Sequence, residues 1–212
     1  MRGRRMMSRP TQRRRAGFTL IEVMVAVSIM TVGAMGIMAL QQAATRGNIE
    51  AREMTMATQL TRQWIERVRT DAVRWNGTSL PTSLATTSYL KQLPNAGGTT
   101  DWFTPTPLAT SGESYAFDYF GRDATTAAQQ KHYCTNLRMT WLVMGATARI
   151  EARTFWHRRS NGTSATLGDA RLFPNCGAGG GEAAVTTELA APASRLRAVN
   201  VATVVRWQPI AP

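Results

Sequence analysis

Four side chains of the kinds that bind transition metals lie in the second half of the sequence. They are His132, Cys134, His157 and Cys176. Zinc sites are usually built from ligand pairs at characteristic short spacings, and these four residues lack such paired spacing. We therefore expect neither a metal site nor a cofactor.

The sequence also lacks the common motifs of catalysis. It contains no nucleophile elbow, no Walker phosphate loop and no HExxH motif. The glycine-rich residues 177 to 181 lack the lysine and the helix start of a phosphate-binding loop, so glycine there indicates flexibility. We do not expect the protein to be an enzyme.

A basic and aromatic stretch is the strongest candidate for nucleic-acid contact. Its members are Arg149, Arg153, Phe155, Trp156, Arg158 and Arg159. Cations can meet phosphates while aromatic rings stack on bases. On a strand, however, Arg149, Arg153 and Phe155 share one face and Trp156 lies on the other. This mixture is more typical of a solvated strand face over a packed core, and we prefer that interpretation.

The formal net charge of +12 is concentrated at the N-terminus. Residues 1 to 17 contain seven arginines and no acidic residue, whereas residues 18 to 212 contain 18 basic and 13 acidic side chains. The whole chain has 212 residues and is 43% hydrophobic, which is close to the values of an ordinary globular domain. More than half of the net positive charge therefore lies in this N-terminal segment.

An apolar segment, residues 18 to 40, follows the arginines. As a helix it reaches roughly 35 Å, enough to cross a hydrocarbon core of about 30 Å. The arginine flank predicts a cytoplasmic N-terminus and an exported C-terminal body. A secretory signal peptide usually has a shorter apolar core. A plain membrane anchor leaves Glu22, the single charge in the segment, unexplained, because an acid in an apolar span is costly and usually functional.

The heptapeptide GFTLIEV, residues 17 to 23, closely resembles the type IV prepilin signature shared by pilins and type II secretion pseudopilins. The resemblance implies that prepilin peptidase cuts between Gly17 and Phe18 and methylates the new amine of Phe18. Residues 1 to 17 are then a removed cytoplasmic leader, and Glu22 is the charge used in assembly.

The continuation VGAMGIMALQ, residues 32 to 41, is more similar to PilV-type minor pilins than to major pilins. This resemblance implies a minor pilin in the bacterial inner membrane that later enters the extracellular type IV pilus and helps to prime its assembly. The implied partners are prepilin peptidase, other major and minor pilins, the inner-membrane assembly platform, membrane lipid and a tip adhesin. A minor pseudopilin of type II secretion and a membrane-tethered DNA-uptake or adhesion module remain the alternatives.

Residues 41 to 76 continue the helix as an amphipathic half. Six apolar residues recur at helical spacing: Ala57, Leu60, Trp64, Ile65, Val68 and Ala72. Charges at i, i+4, such as Arg67 with Asp71, predict a solvated opposite face. The sequence Trp75-Asn76-Gly77 predicts the end of the helix in a left-handed cap.

Residues 77 to 212 predict an exported head. Alternation indicates a short strand around Tyr115 to Tyr119, a hairpin of two strands flanking Gly145, and a last strand over residues 199 to 207. Residues 160 to 193 are expected to form a long loop. The expected fold class is α+β: a long N-terminal helix packed on a small antiparallel sheet, as in type IV pilins.

Cys134 and Cys176 are the two cysteines of the chain. The predicted topology places both outside the cytoplasm, where disulfides form and persist. We expect a bridge worth roughly 4 kcal/mol in the chain-entropy model. The alternative is two independent buried thiols.

Overall fold

The computed structural model describes residues 17–77, 84–106, 112–125, 131–157, 176, 181–192, 194 and 196–209. Their elements, in chain order, are α1 (Leu20–Ala72), β1 (Asn76–Gly77), a short 3-10 helix (Leu90–Gln92), β2 (Ala116–Phe117), β3 (Tyr133–Val143), β4 (Thr147–His157), α2 (Glu182–Ala190), β5 (Leu196–Arg206) and β6 (Gln208–Pro209). The chain divides into two compact units, Met1–Glu50 and Ala51–Pro212.

In the first unit, α1 presents apolar side chains to its surroundings on every side. Phe18, Leu20, Met30 and Leu40 are each exposed over more than two thirds of their surface. The hydroxyl side chains of Ser28 and Thr31 in this segment are satisfied locally. Ser28 Oγ donates to the Met24 carbonyl at 2.9 Å, one helical turn back. A helix that is apolar all round requires an apolar environment.

In the second unit, the C-terminal part of α1 buries one face against the sheet. All six apolar residues that the periodicity identified are at most 6% exposed, which confirms that prediction. The stripe is centred on Trp64, which is fully buried and meets the Tyr89 ring edge-to-face at 5.5 Å. Burying a large apolar side chain is worth about 1.5–3 kcal/mol.

The main sheet has the order β2-β3-β4-β5 and is antiparallel throughout. The predicted hairpin is confirmed: β3 and β4 pair through a turn in which Gly145 has a φ of 73°. One cross-strand row, Leu137 with Ala152 and Val201, packs toward α1. The strand predicted around Tyr115 to Tyr119 is shorter, since β2 comprises two residues.

The end of α1 differs from the prediction. Asn76 and Gly77 do not form a left-handed cap, because they are β1 and pair in parallel with Gln208 and Pro209 of β6. The N–H of Gln208 donates to the Trp75 carbonyl at 3.2 Å. This pairing stabilises an extended backbone where the local sequence alone favours a turn.

The predicted loop of residues 160 to 193 is wrong for Glu182–Ala190, which form α2. The rest of this stretch, apart from Cys176, Gly181, Ala191 and Pro192, lies outside the described residues. The α2 helix buries Val185 completely in a second apolar cluster, with Phe155 and Leu196. The sheet therefore carries helical cover on the face opposite α1 as well.

The predicted solvated pair of Arg67 with Asp71 is also wrong. Asp71 is buried and its carboxylate accepts backbone N–H groups from Ser88, Tyr89 and Leu90 at 2.6 Å, 2.7 Å and 3.2 Å. Arg67 instead contacts Glu113 and Asp123 at 3.5 Å and 3.4 Å. Long-range partners thus replace the local i, i+4 pair.

Candidate processing and assembly site

The peptide bond between Gly17 and Phe18 lies just outside α1, which begins at Leu20. Gly17 is exposed, and a Cβ added to it would meet no atom within 4 Å. Phe18 is 82% exposed. The bond therefore lies in non-helical, exposed backbone, and no contact within the described part of the chain requires a glycine at position 17. The preceding residues, 1 to 16, lie outside the described part of the chain.

Thr19 and Glu22 together have the spacing of a helix capping box. The N–H of Glu22 lies 3.4 Å from Thr19 Oγ1 and donates to the Thr19 carbonyl at 3.1 Å. A Ser or Thr at the N-cap followed three residues later by Glu or Gln satisfies the free amides of a first turn. Glu22 is also the acidic residue of this turn, where the helix dipole favours negative charge. Sequence reasoning treated Glu22 as a charge alone and missed this helix-starting role.

The apolar half of α1 has the length and composition to cross a membrane. Its most apolar window has a mean hydropathy of 2.2, and none of that window is buried. Thr31 Oγ1 donates to the Val27 carbonyl, as Ser28 does to the Met24 carbonyl. Because lipid offers no hydrogen-bonding partners, such internal satisfaction is what a membrane helix requires.

In the head, Cys134 and Cys176 are joined in a disulfide, as the sequence analysis expected. Their Cα atoms lie 5.4 Å apart and both side chains are buried. Cys134 lies on β3, so the bridge fixes Cys176 to the sheet beneath α2. A φ of 61° at Cys176 is unusual for a residue other than glycine. The bridge removes both thiolates as possible metal ligands.

The interpretation of the basic and aromatic stretch as a solvated strand face is wrong for Arg153, which is buried. Its guanidinium is buried and donates to Asn136 Oδ1 at 3.1 Å, to Thr186 Oγ1 at 2.8 Å and to the Glu182 carbonyl at 3.1 Å. The Cζ atom of Arg153 lies 4.3 Å from the centroid of the Trp102 ring. These partners make Arg153 the polar link between β4 and α2.

The rest of that stretch is divided between surface and core. Arg149 is half exposed and donates to Glu151 at 2.8 Å, so it fits the solvated interpretation. Phe155 and Trp156 are both buried. Arg158 and Arg159 lie outside the described residues. The described members therefore do not form a joint surface of exposed cations and rings.

Burial is the main cause that lowers the pKa of the Arg153 guanidinium to about 10. Nearby Arg138 contributes to this decrease, and Glu182 opposes it. Desolvation penalises a buried cation, and the neighbouring positive charge adds to the penalty. The hydrogen bonds to Asn136 and α2 offset part of this cost.

Another buried charged residue, Glu53, was not identified from the sequence. Glu53 is 2% exposed, and its carboxylate accepts the indole N–H of Trp156 at 3.2 Å. His132, one of the candidate metal ligands, places Nε2 3.7 Å from the other carboxylate oxygen. The position of Glu53 one turn before Ala57 on the buried stripe was the available signal. His157 is likewise buried, at the end of β4.

The fold and the N-terminal site together define a type IV pilin-like α+β arrangement, with a long apolar N-terminal helix and an antiparallel sheet. Residues 12–38 match the family model of the prokaryotic N-terminal methylation motif. This match covers Gly17, Phe18 and Glu22, and it supports a type IV prepilin-like, membrane-anchored protein. Comparison with curated proteins and with solved structures finds no match for the chain.

Proposed function

We propose that this protein is a minor pilin of the PilV type, a structural subunit without enzymatic activity that helps to prime type IV pilus assembly. Prepilin peptidase cuts it between Gly17 and Phe18 on the cytoplasmic side and methylates Phe18. The head then lies in the periplasm until the subunit enters the filament with other pilins.

The observation that carries this proposal is the combination of an accessible Gly17–Phe18 bond with the methylation motif at residues 12–38. The apolar half of α1 supports it, because a mature subunit needs a helix that is stable in lipid and can then pack against other apolar helices. Both uses require apolar side chains on all faces, as α1 has from Leu20 to Leu40.

The charges at the mature N-terminus suggest how assembly proceeds. After cleavage Phe18 carries an ammonium group, and Glu22 lies four residues along the chain. An isolated charge is costly in an apolar medium, and an opposite charge offsets that cost. We infer that the Phe18 amine of one subunit pairs with Glu22 of a neighbour in the filament.

The first experiment is mass spectrometry of the membrane-extracted protein from cells with and without prepilin peptidase. We expect a methylated N-terminus at Phe18 in the first strain and the uncut form in the second. A mature N-terminus near Ala39, as a signal peptide would give, contradicts the proposal.

The second experiment separates the charge of Glu22 from its capping role. Glu22→Gln keeps an N3 residue suited to a capping box but removes the charge, whereas Thr19→Val removes the cap and keeps the charge. We expect Glu22→Gln and Glu22→Ala to be cut and inserted normally but lost from sheared pili, and Glu22→Asp to be intermediate. Full incorporation of Glu22→Gln contradicts the charge-pairing mechanism. If Thr19→Val is lost from sheared pili and Glu22→Gln is not, helix capping and not charge pairing is what incorporation requires.

A further inference from the structure

The β5 strand lies at one end of the main sheet. It pairs with β4 over eleven consecutive residues, from Leu196 to Arg206, without a register shift. In an antiparallel pair, alternate residues direct their backbone N–H and C=O groups away from the partner strand. Within the described part of the chain, no strand pairs with the other side of β5. That side is the free edge of β5.

The free edge has few of the features that proteins use to prevent strand addition. Residues 198 to 205, with the sequence AVNVATVV, contain no charge, no proline and no glycine. The one irregularity in the long strands lies in β3, between Trp141 and Val143. Lysines, prolines and bulges normally protect long edges, and an uncharged β-branched edge readily accepts another strand.

The side chains on the two faces of β5 indicate which residue types an added strand needs. On the α1 face, Val199 and Val201 are only half-buried at the margin of the core, whereas Thr203 and Val205 are buried. An added strand with apolar residues at alternate positions covers that margin. On the opposite face Val204 is 55% exposed, and small or polar residues suffice there.

The two charged residues of β5 itself are both positive. Arg197 and Arg206 are exposed and bracket the uncharged segment. Arg69 also reaches this strand, where it donates to Thr203 Oγ1 at 2.8 Å, but its charge is paired with Glu66 at 2.7 Å. A second copy of β5 would bring further arginines to this edge of an already basic chain, and like charges across strands are destabilising. Acidic residues at the ends of the added strand would meet Arg197 and Arg206.

We propose that the free edge of β5 is a docking site for an extended strand of another protein, with alternating apolar residues at its centre and acidic residues at its ends. The main-chain hydrogen bonds provide the attachment, and the two arginines select the partner's charge and register. This inference does not depend on the proposed cleavage or on filament assembly.

The test uses the full chain in neutral detergent micelles with short synthetic peptides as probes. The first peptide has alternating threonine and valine between two acidic ends, the second has the same centre between two lysines, and the third has acidic ends and prolines at the centre. Amide hydrogen exchange and fluorescence anisotropy report binding. We expect the acid-ended peptide to protect alternate amides of β5 and to bind about tenfold more tightly than the lysine-ended peptide. The proline-containing peptide should not bind.

The matched variant is the double charge reversal Arg197→Glu with Arg206→Glu, at two exposed positions that leave the core intact. We expect this variant to bind the lysine-ended peptide more tightly than the acid-ended peptide. Arg122→Glu, an exposed arginine beside β2 at the opposite end of the sheet, is the control and should leave the order unchanged. Absence of β5 protection, equal binding of both charged peptides, or self-association through β5 in place of peptide binding would overturn the proposal.

Discussion

Asp71 and Tyr89 are joined by a hydrogen bond of 2.7 Å from the backbone N–H of Tyr89 to the Asp71 carboxylate. The same carboxylate accepts hydrogen bonds from the backbone N–H groups of Ser88 and Leu90. One side chain near the end of α1 therefore anchors the start of the 3-10 helix and places the Tyr89 ring against Trp64.

Replacing Asp71 by Ala should destabilise the head by about 2–4 kcal/mol, because three backbone donors lose a charged acceptor at a buried site. Asp71→Asn should cost less, since its amide oxygen still accepts. Denaturant unfolding followed by tryptophan fluorescence measures both. Asp101→Asn, at an exposed position, is the control and should change stability by less than about 0.5 kcal/mol.

The second prediction concerns alkaline pH and Tyr89. Burial raises the pKa of the Tyr89 hydroxyl above its ordinary 10.0, and the hydrogen bond to Glu113 raises it further. Because the folded pKa is raised, the stabilisation is fully present below pH 10 and is lost as pH rises above the unfolded value. Stability of the unmutated protein should therefore fall more steeply above pH 10 than that of Tyr89→Phe. Parallel pH profiles for the two proteins would contradict the assignment.

The third prediction compares two arginines on the same face of β4. Arg153→Met should cost about 2–4 kcal/mol, because Asn136 and the start of α2 lose their buried partner. Arg149→Met removes a half-exposed ion pair with Glu151 and should cost at most about 1 kcal/mol. Urea unfolding of both variants measures the contrast, and equal losses would show that burial of Arg153 is not the cause.

The fourth prediction concerns the disulfide. Removing it by Cys134→Ala with Cys176→Ala should destabilise the head by about 2–4 kcal/mol, since the bridge restricts an unfolded chain over a sequence separation of 42. Reductant should lower the unfolding midpoint of the unmutated protein and leave that of the double variant unchanged. Peptide mapping without reductant should recover the linked pair, and free thiols on both cysteines would contradict the bridge.

The sequence was most informative where one face of a regular element is buried. The stripe from Ala57 to Ala72 and the alternation in β3, β4 and β5 follow from the helical and strand periods, so the helix, the hairpin and the last strand were all predictable. The cysteine pair was also predictable, because the chain has two cysteines and the predicted topology places both where disulfides form.

The sequence was least informative where a partner comes from far along the chain. The α2 helix is mostly alanine and threonine with a single buried residue, Val185, so it has no periodic apolar stripe. Because α2 was not predicted, its bonds to Arg153 were not predicted either, and Arg153 was interpreted as a surface cation. Asp71 and Glu53 likewise look like ordinary charges of a solvated helix, because the backbone amides and the Trp156 indole that bind them are distant in sequence.

The hydroxyl groups of Ser28 and Thr31 each bond to a carbonyl one turn back in their own helix. A polar group with a partner inside its own segment does not have to exchange hydrogen bonds when its surroundings change. In the proposed transfer of this helix from lipid into a filament, the free-energy change then depends on the shape of its apolar surface and on the charges at its N-terminus, with little contribution from these hydroxyls. The two hydroxyls need no new partner in either environment.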